Sequence, residues 1–189
     1  TNAGEKEKDT TKAGKILITD TRPLANISLI DYLVSRCIPP DLAARFCLEV
    51  DFVLYGKKQA AIGFVNDAGG FELRSPHFKG SSSPKTITTF KIQSSQLTVF
   101  EGFFDFLSYQ VIASEQLKET TNFLILNSLA FFNRSRELMD KYSTVNLYLD
   151  RNNQGIECTE LALHWDNKKY LDRSQLYRDG QDLNEWLME

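Results

Sequence analysis

LTVFEGFFDFLSYQ at residues 97–110 and VNLYLDRNNQG at residues 145–155 decide the fold. In each, a short apolar run ends at an acid: the run 97–100 meets Glu101, and the run 145–149 meets Asp150. Runs of this length with β-branched and aromatic residues read as buried strands. An amphipathic stretch follows each one, over 103–113 and 155–165. Residues 123–126 read as another strand with a helix over 134–142. Residues 170–176 read as a fourth strand, with a closing helix over 183–188. Short apolar strands alternating with amphipathic helices predict an α/β domain, with a mostly parallel sheet and helices on both faces. Such sheets bind ligands outside the carboxyl ends of their strands, where both acids stand.

Working outward, residues 1 to about 15 are charged and small, without apolar periodicity, and read as a linker or tail implying that the natural chain continues upstream. Ile27, Leu29, Ile30, Leu33 and Val34 recur at helical spacing, with Ser28 as the expected N-cap. Cys37-Ile38-Pro39-Pro40 breaks that pattern, and Asp41 is expected to cap a second short helix reaching Phe46. Residues 50–55, 60–65 and 71–74 are strand-like, separated by Gly56-Lys57-Lys58 and by the run 66–70, which predicts an antiparallel meander. Residues 79–86 read as a Ser-rich loop carrying Lys79 and Lys85.

Three acidic motifs carry the chemistry. Glu101 ends a strand, Gly102 permits a sharp turn, and Asp105 falls in the first helical turn, so that both carboxylates can face the strand end. Asp150 ends another strand, with Asn152 two residues on and Gly155 opening the helix. Asp182 and Asn184 precede the closing helix. Each has a structural alternative: Asp105 complementing the helix dipole, Asp150 capping a helix, Asp182 or Asn184 doing the same. Converging carboxylates repel unless a cation sits among them. All-oxygen ligands favour Mg²⁺ or Mn²⁺ over zinc, and such a site suits phosphate chemistry.

In this order, VFEGFFDFLS, LYLDRNNQG and QDLNEWL resemble the Toprim signature of a Glu-Gly motif, a D-x-D-x-x-G motif and a terminal acidic motif, over about residues 96–189. The version here is most similar to bacterial DNA primases, especially the primase-like proteins of plasmids and mobile elements. Upstream, YLVSRCIPPDLAARF, AIGFVNDAGGFELRSP and SPKTIT resemble the helix pair, hairpin and loop that begin the primase RNA-polymerase core. The resemblance implies a Rossmann-like Toprim domain over 96–189, preceded by a small α+β, template-guiding subdomain over 16–95. It implies that Glu101 does general acid/base work in nucleotidyl transfer. It also implies that Asp105, Asp150 and Asp182, with Asn152 and Asn184, bind Mg²⁺ or Mn²⁺, and that Gly102 and Gly155 are turn glycines. Arg74, Lys79 and Lys85 are expected to guide a single-stranded DNA template. Ribonucleoside triphosphates are the implied substrates, with a replicative helicase and an upstream zinc-binding domain as partners. Two departures stand out: Asn152 and Asn184 occupy positions where many relatives have Asp, and Cys37 replaces the usual Gly.

Composition bounds these expectations. A formal net charge of −3 over 189 residues excludes nucleic-acid binding through a uniformly basic surface and requires a local patch. Three cysteines without C-x-x-C spacing argue against a zinc site or a disulfide framework and for small buried residues in a reducing cytoplasm. No apolar run approaches the roughly 20 residues of a membrane span. Two other functions are compatible with the motifs: a degenerate Toprim nucleic-acid-binding module without polymerase activity, and a Toprim nuclease.

Overall fold

The computed structural model describes residues 15–115 and 120–189; residues 1–14, which make up nearly all of the segment read above as a linker, lie outside them. Two five-stranded sheets organise the described residues. The first is an antiparallel meander of β1 (Leu17–Arg22), β2 (Cys47–Leu54), β3 (Lys57–Val65), β4 (Phe71–Ser75) and β5 (Phe78–Ser81), in that order. Leu54 pairs with Lys57 across a two-residue turn, Tyr55-Gly56, whose φ angles are +50° and +74°, the turn that suits strand twist. Strands β1 and β5 were not legible in the sequence. LITDTR and FKGS carry little apolar alternation, and both form on the sheet's edges, where the neighbouring strand supplies the hydrogen-bonding template.

Two helices, α1 (Ile27–Ser35) and α2 (Pro40–Ala43), lie between β1 and β2. The N-cap of α1 is Asn26, not Ser28: its Oδ1 accepts from the Ser28 and Leu29 N–H groups at 3.0 and 3.4 Å. Leu29 and Leu33 are the buried residues of this helix, whereas Ile27 and Val34 are 75% and 58% exposed, so the apolar face is narrower than its periodicity suggested. The helix ends in a Schellman closure, with Ile38 N–H donating to Leu33 C=O and Cys37 N–H to Val34 C=O, both at 3.0 Å. That closure forces Cys37 to φ +55°. Helix α2 begins after Pro39 without a side-chain cap and stops at Ala43, short of Phe46.

The second sheet runs β10 (Tyr170–Asp172), β9 (Thr144–Tyr148), β7 (Gln96–Phe100), β8 (Asn122–Ile125), β6 (Thr88–Phe90). Its first four strands in that order are parallel and β6 is an antiparallel edge. Strand β6 pairs here although it precedes the boundary read at residue 96. Helix α3 (Phe103–Glu115) covers one face, where Phe104, Phe106 and Leu107 pack with Phe100. On the other face α4 (Arg136–Met139) and α5 (Asn153–Trp165) bury Met139 and Ala162 against Leu97, Val99, Val145 and Leu147. The closing helix is α6 (Leu183–Leu187).

Two expectations change. The helix read over 134–142 is a 3₁₀ turn at Asn133–Ser135 followed by the single turn α4, because within these two turns only Ser135 and Met139 are buried, with Leu138 packed partly against the core. The strand read to residue 176 ends at Asp172, whose Oδ1 accepts from the Ser174 N–H and hydroxyl at 2.8 and 2.7 Å and diverts the chain into a 3₁₀ turn at Ser174–Leu176.

One apolar core joins the sheets. Phe64 of β3 stacks on Phe103 of α3 with ring centroids 5.2 Å apart, and Phe90 of β6 on Phe106 at 5.2 Å. Each fully buried Phe contributes about 1.5–3 kcal/mol, so this aromatic layer fixes how the first sheet faces the second. Chain order then creates the site. From β7 the chain crosses by α3 to β8 on one side and returns to β9 on the other, so the connections leaving adjacent strands β7 and β9 lie on opposite faces. A crevice opens at such a switch point.

Candidate active site

Glu101 follows β7 and Asp150 follows β9. Because Phe100 and Tyr148 are register partners, the two acids emerge side by side. The Glu101 carboxylate accepts the backbone N–H of Asp150. Asp105, in the first turn of α3 and 5% exposed, turns toward the same place, and its Oδ1 accepts the Asn184 N–H at 3.4 Å. Asp182 caps α6: its Oδ1 accepts the Glu185 N–H at 2.7 Å while the Glu185 carboxylate accepts the Asp182 N–H at 3.2 Å. All four acids line one cleft of about 90 Å³, with Glu72, Arg74 and Lys79 of the first sheet also in its wall. Asp182 is therefore both a helix cap and a cleft residue, and the structural alternative for Asp150 does not hold, since α5 is capped by Asn152.

The electrostatics are those of crowded, desolvated anions. Burial pushes Asp150 up to about 7, helped by the charges of Glu101 and Asp182. Burial likewise raises Glu101, with Asp182 adding to the rise and Lys79 opposing it. Asp105 is raised well above the usual carboxylate range by burial and then by Asp182 and Asp150. Glu101 Oε2, Asp150 Oδ1 and the Oδ1 of Asn127, another lining residue, are buried without a hydrogen-bond partner. Buried acceptors without donors are rare and costly, and here three share one cleft. Among the described residues, no three His, Cys, Asp or Glu side chains stand at ligand spacing as they are. Mutual repulsion holds ionised carboxylates apart until a cation neutralises them. An all-oxygen set with unsatisfied lone pairs fits a hard divalent cation such as Mg²⁺.

Two expected ligands take other roles. Asn152 Oδ1 accepts the Gly155 N–H at 3.0 Å as the N-cap of α5, and the residue faces a different groove, with Arg151 and Asp179. Asn184 is fully buried: its Oδ1 accepts from Arg36 Nε at 2.5 Å, and its Nδ2 donates to Arg36 C=O at 2.9 Å and to the Ser108 hydroxyl at 2.8 Å. Its amide is committed to joining α1, α3 and α6. The glycines differ as well. A Cβ at Gly155 would stand 2.0 Å from the Asp150 carbonyl oxygen, so this residue lets α5 start against the strand end. Gly102 has no positive φ, and its Cβ would meet only Asp105 Oδ2 at 3.3 Å.

Of the basic residues, Arg74 and Lys79 line the cleft. They are register partners on β4 and β5, and Arg74 is held by its Nε donating to the Tyr32 hydroxyl at 3.2 Å and by its guanidinium lying 5.4 Å from the Phe104 ring centre. Lys85 lines an adjoining groove with Lys79, Tyr55 and Phe78 rather than the cleft. Sequence reasoning missed Glu72, Asn127 and Tyr177. Glu72 was within reach, since it shares Arg74's strand face at i−2. Asn127 sits just beyond β8, another strand end. Tyr177, whose hydroxyl donates to the Leu149 carbonyl at 2.6 Å beside Asp150, carried no signal in its irregular segment.

Acids gather at a switch point of a parallel sheet and are faced by a cationic strand pair, an arrangement of the Toprim type. Comparison with known proteins agrees. Residues 98–187 match the family described as Toprim-like, and residues 18–83 match a domain of unknown function (DUF8464). The fold is similar to that of the primase fragment of the bacteriophage T7 primase-helicase protein, with TM-score 0.61 and 15% identity over 95% of this chain and 77% of that one. It is also similar to the Aquifex aeolicus primase (zinc binding and RNA polymerase domains), with TM-score 0.55 and 16% identity over 88% of this chain and 53% of that one. No curated protein sequence matches the chain. Residues 98–187 thus match the Toprim-like family, within a fold similar to that of primase fragments. Among the described residues, no helix is long and apolar enough to cross a membrane.

Proposed function

We propose that this chain is a primase-type catalytic core that joins ribonucleotides on a single-stranded DNA template, in the replication of a plasmid or mobile element. The observation that carries the reading is the single cleft that Glu101, Asp105, Asp150 and Asp182 share with Arg74 and Lys79. Asp105, Asp150 and Asp182 would hold Mg²⁺ or Mn²⁺, with the Asn127 side-chain carbonyl oxygen as a further donor. When bound, the metal supplies charge neutralisation at the phosphates and activation of the attacking 3′-hydroxyl. Glu101, whose carboxyl burial pushes upward and which has one oxygen unpartnered, is suited to act as the proton acceptor. Arg74 and Lys79 orient phosphates on the opposite wall, and Lys85 continues the cationic path toward the template. A replicative helicase and an upstream zinc-binding domain are the partners this role calls for.

The test is primer synthesis on single-stranded DNA with Mg²⁺ or Mn²⁺. Glu101→Gln is expected to reduce it by at least about a hundredfold; equal activity in the wild type and this variant overturns the catalytic assignment. A second reading, a binding module without polymerisation, is favoured by the lack of three acids at ligand spacing among the described residues. Calorimetry with millimolar Mn²⁺ separates the two, because the module requires no metal uptake by these acids.

A further inference from the structure

One carboxylate of the cleft has no part in the acid cluster. Glu72 lies on β4 of the first sheet, while the four acids belong to the second half of the chain. The charges acting most strongly on Glu101, Asp105 and Asp150 are one another, Asp182, Glu185 and Lys79, not Glu72. Burial pushes the Glu72 carboxyl up to about 7, although Lys85 and Lys79 pull it down. No hydrogen bond or ion pair to it is found among the described residues, and neither lysine comes within ion-pairing distance. The Glu72 carboxylate faces the cleft with no protein donor engaged, so its oxygens are open to a donor from a bound ligand.

Strand geometry narrows what that donor is. Glu72 and Arg74 share one face of β4, opposite Ser81 and Lys79 of β5. In the function proposed above the Arg74–Lys79 pair would grip phosphates, which the Glu72 carboxylate would repel. Two residues along a strand span about 7 Å, which is about the reach from a nucleotide's phosphate to the hydroxyls of its own sugar; the base edge lies further out. Sugar hydroxyls are neutral donors, the group an acceptor-only carboxylate pairs with, and acidic side chains elsewhere bind ribose in this way.

We propose that Glu72 accepts hydrogen bonds from the sugar hydroxyls of the incoming nucleotide and so sets a preference for ribo- over deoxyribonucleotides. This rests on the nucleotidyl-transfer reading above and names the residue that reads the sugar. The test measures binding, independent of turnover. ATP, 2′-deoxy-ATP, 3′-deoxy-ATP and UTP compete with a fluorescent ATP analogue for the full chain in Mn²⁺, in the wild type and in Glu72→Gln. The wild type is expected to favour ATP over at least one deoxy analogue by about tenfold or more, and Glu72→Gln to bring that ratio within about twofold, leaving the ATP-to-UTP ratio and Mn²⁺ affinity unchanged. Glu72→Asp keeps the charge but withdraws the acceptor by about 1.5 Å, and it is expected to lose the same discrimination should the Gln variant not fold. Nucleotide binding with an unchanged ribo-to-deoxy ratio overturns this proposal alone. A changed ATP-to-UTP ratio with sugar preference intact assigns Glu72 to the base, and weakened Mn²⁺ binding assigns it to the metal; either overturns the proposal. A wild type that binds no nucleotide overturns it together with the nucleotidyl-transfer reading.

Discussion

Replacing Asp150 with Asn is expected to make the metal-free protein more stable, not less, and by an amount that depends on pH. The Asp150 carboxyl moves from 3.8 in a free chain to about 7 in the fold. Below about pH 4 the group is protonated in both states and costs nothing. Between about pH 4 and 7 the unfolded chain gives up its proton while the folded one retains it, so stability falls as pH rises; above about pH 7 the loss is complete. At about 1.4 kcal/mol per pH unit the full loss approaches about 4 kcal/mol. Part of it is repulsion shared with Glu101 and Asp182, which relax when any one of the set is neutral, so about 2 kcal/mol is the expected gain for Asp150→Asn at pH 8. The Asp150 backbone N–H, which Glu101 accepts, is untouched by the change. Urea melts of both proteins with EDTA, at pH 4 and pH 8, measure the difference. Saturating Mn²⁺ should reverse the order, because a cation neutralises the wild-type cluster and raises its stability. A variant less stable than wild type at pH 8 without metal, or a difference equal at both pH values, would refute the electrostatic account of this cleft.

Gly155→Ala places a Cβ 2.0 Å from the Asp150 carbonyl oxygen; a loss of about 2–3 kcal/mol in urea melts is expected, together with weaker Mn²⁺ binding, as the strand end shifts. Cys37→Gly removes an exposed side chain from a residue at φ +55° and should stabilise the fold by about 0.5–1 kcal/mol, read as a rise in Tm. Asn152→Ala and Asn184→Ala should leave Mn²⁺ affinity, measured by calorimetry, nearly unchanged while costing unequal stability. The expected losses are about 1 kcal/mol for an exposed cap and about 2–3 kcal/mol for the fully buried amide.

The parallel sheet was legible because its strands are short, largely apolar and followed by amphipathic helices, and the acids were legible because they stand where those strands end. Glu101, Asp105, Asp150 and Asp182 do share a cleft. Residue type alone could not distinguish a carbonyl oxygen that ligates from one that caps: Asn152 and Asn184 offer the same atom as a ligand would, and only the neighbouring Gly155 N–H and Arg36 Nε reveal that it is already engaged. The N-cap of α1 was misplaced by two residues because Asn26 and Ser28 are both good caps, and the choice falls to the one whose oxygen reaches the open N–H groups. Strands β1, β5 and β6 were hidden because each lies at a sheet edge, where a partner strand, not an apolar pattern, defines it. Glu72 went unremarked because its meaning depends on which elements the first sheet faces, and that is fixed by the Phe64–Phe103 stack, 39 positions apart in the chain.

The bond from Arg36 to Asn184 spans 148 positions. It works like the clasp of a bracelet: the guanidinium and backbone carbonyl of the first helix hold an amide of the last, which in turn grips the Ser108 hydroxyl three residues beyond Asp105. Clipping the final seven residues would thus do more than shorten a helix. It would leave Arg36 facing an empty socket and strip Asp105 of the N–H it accepts.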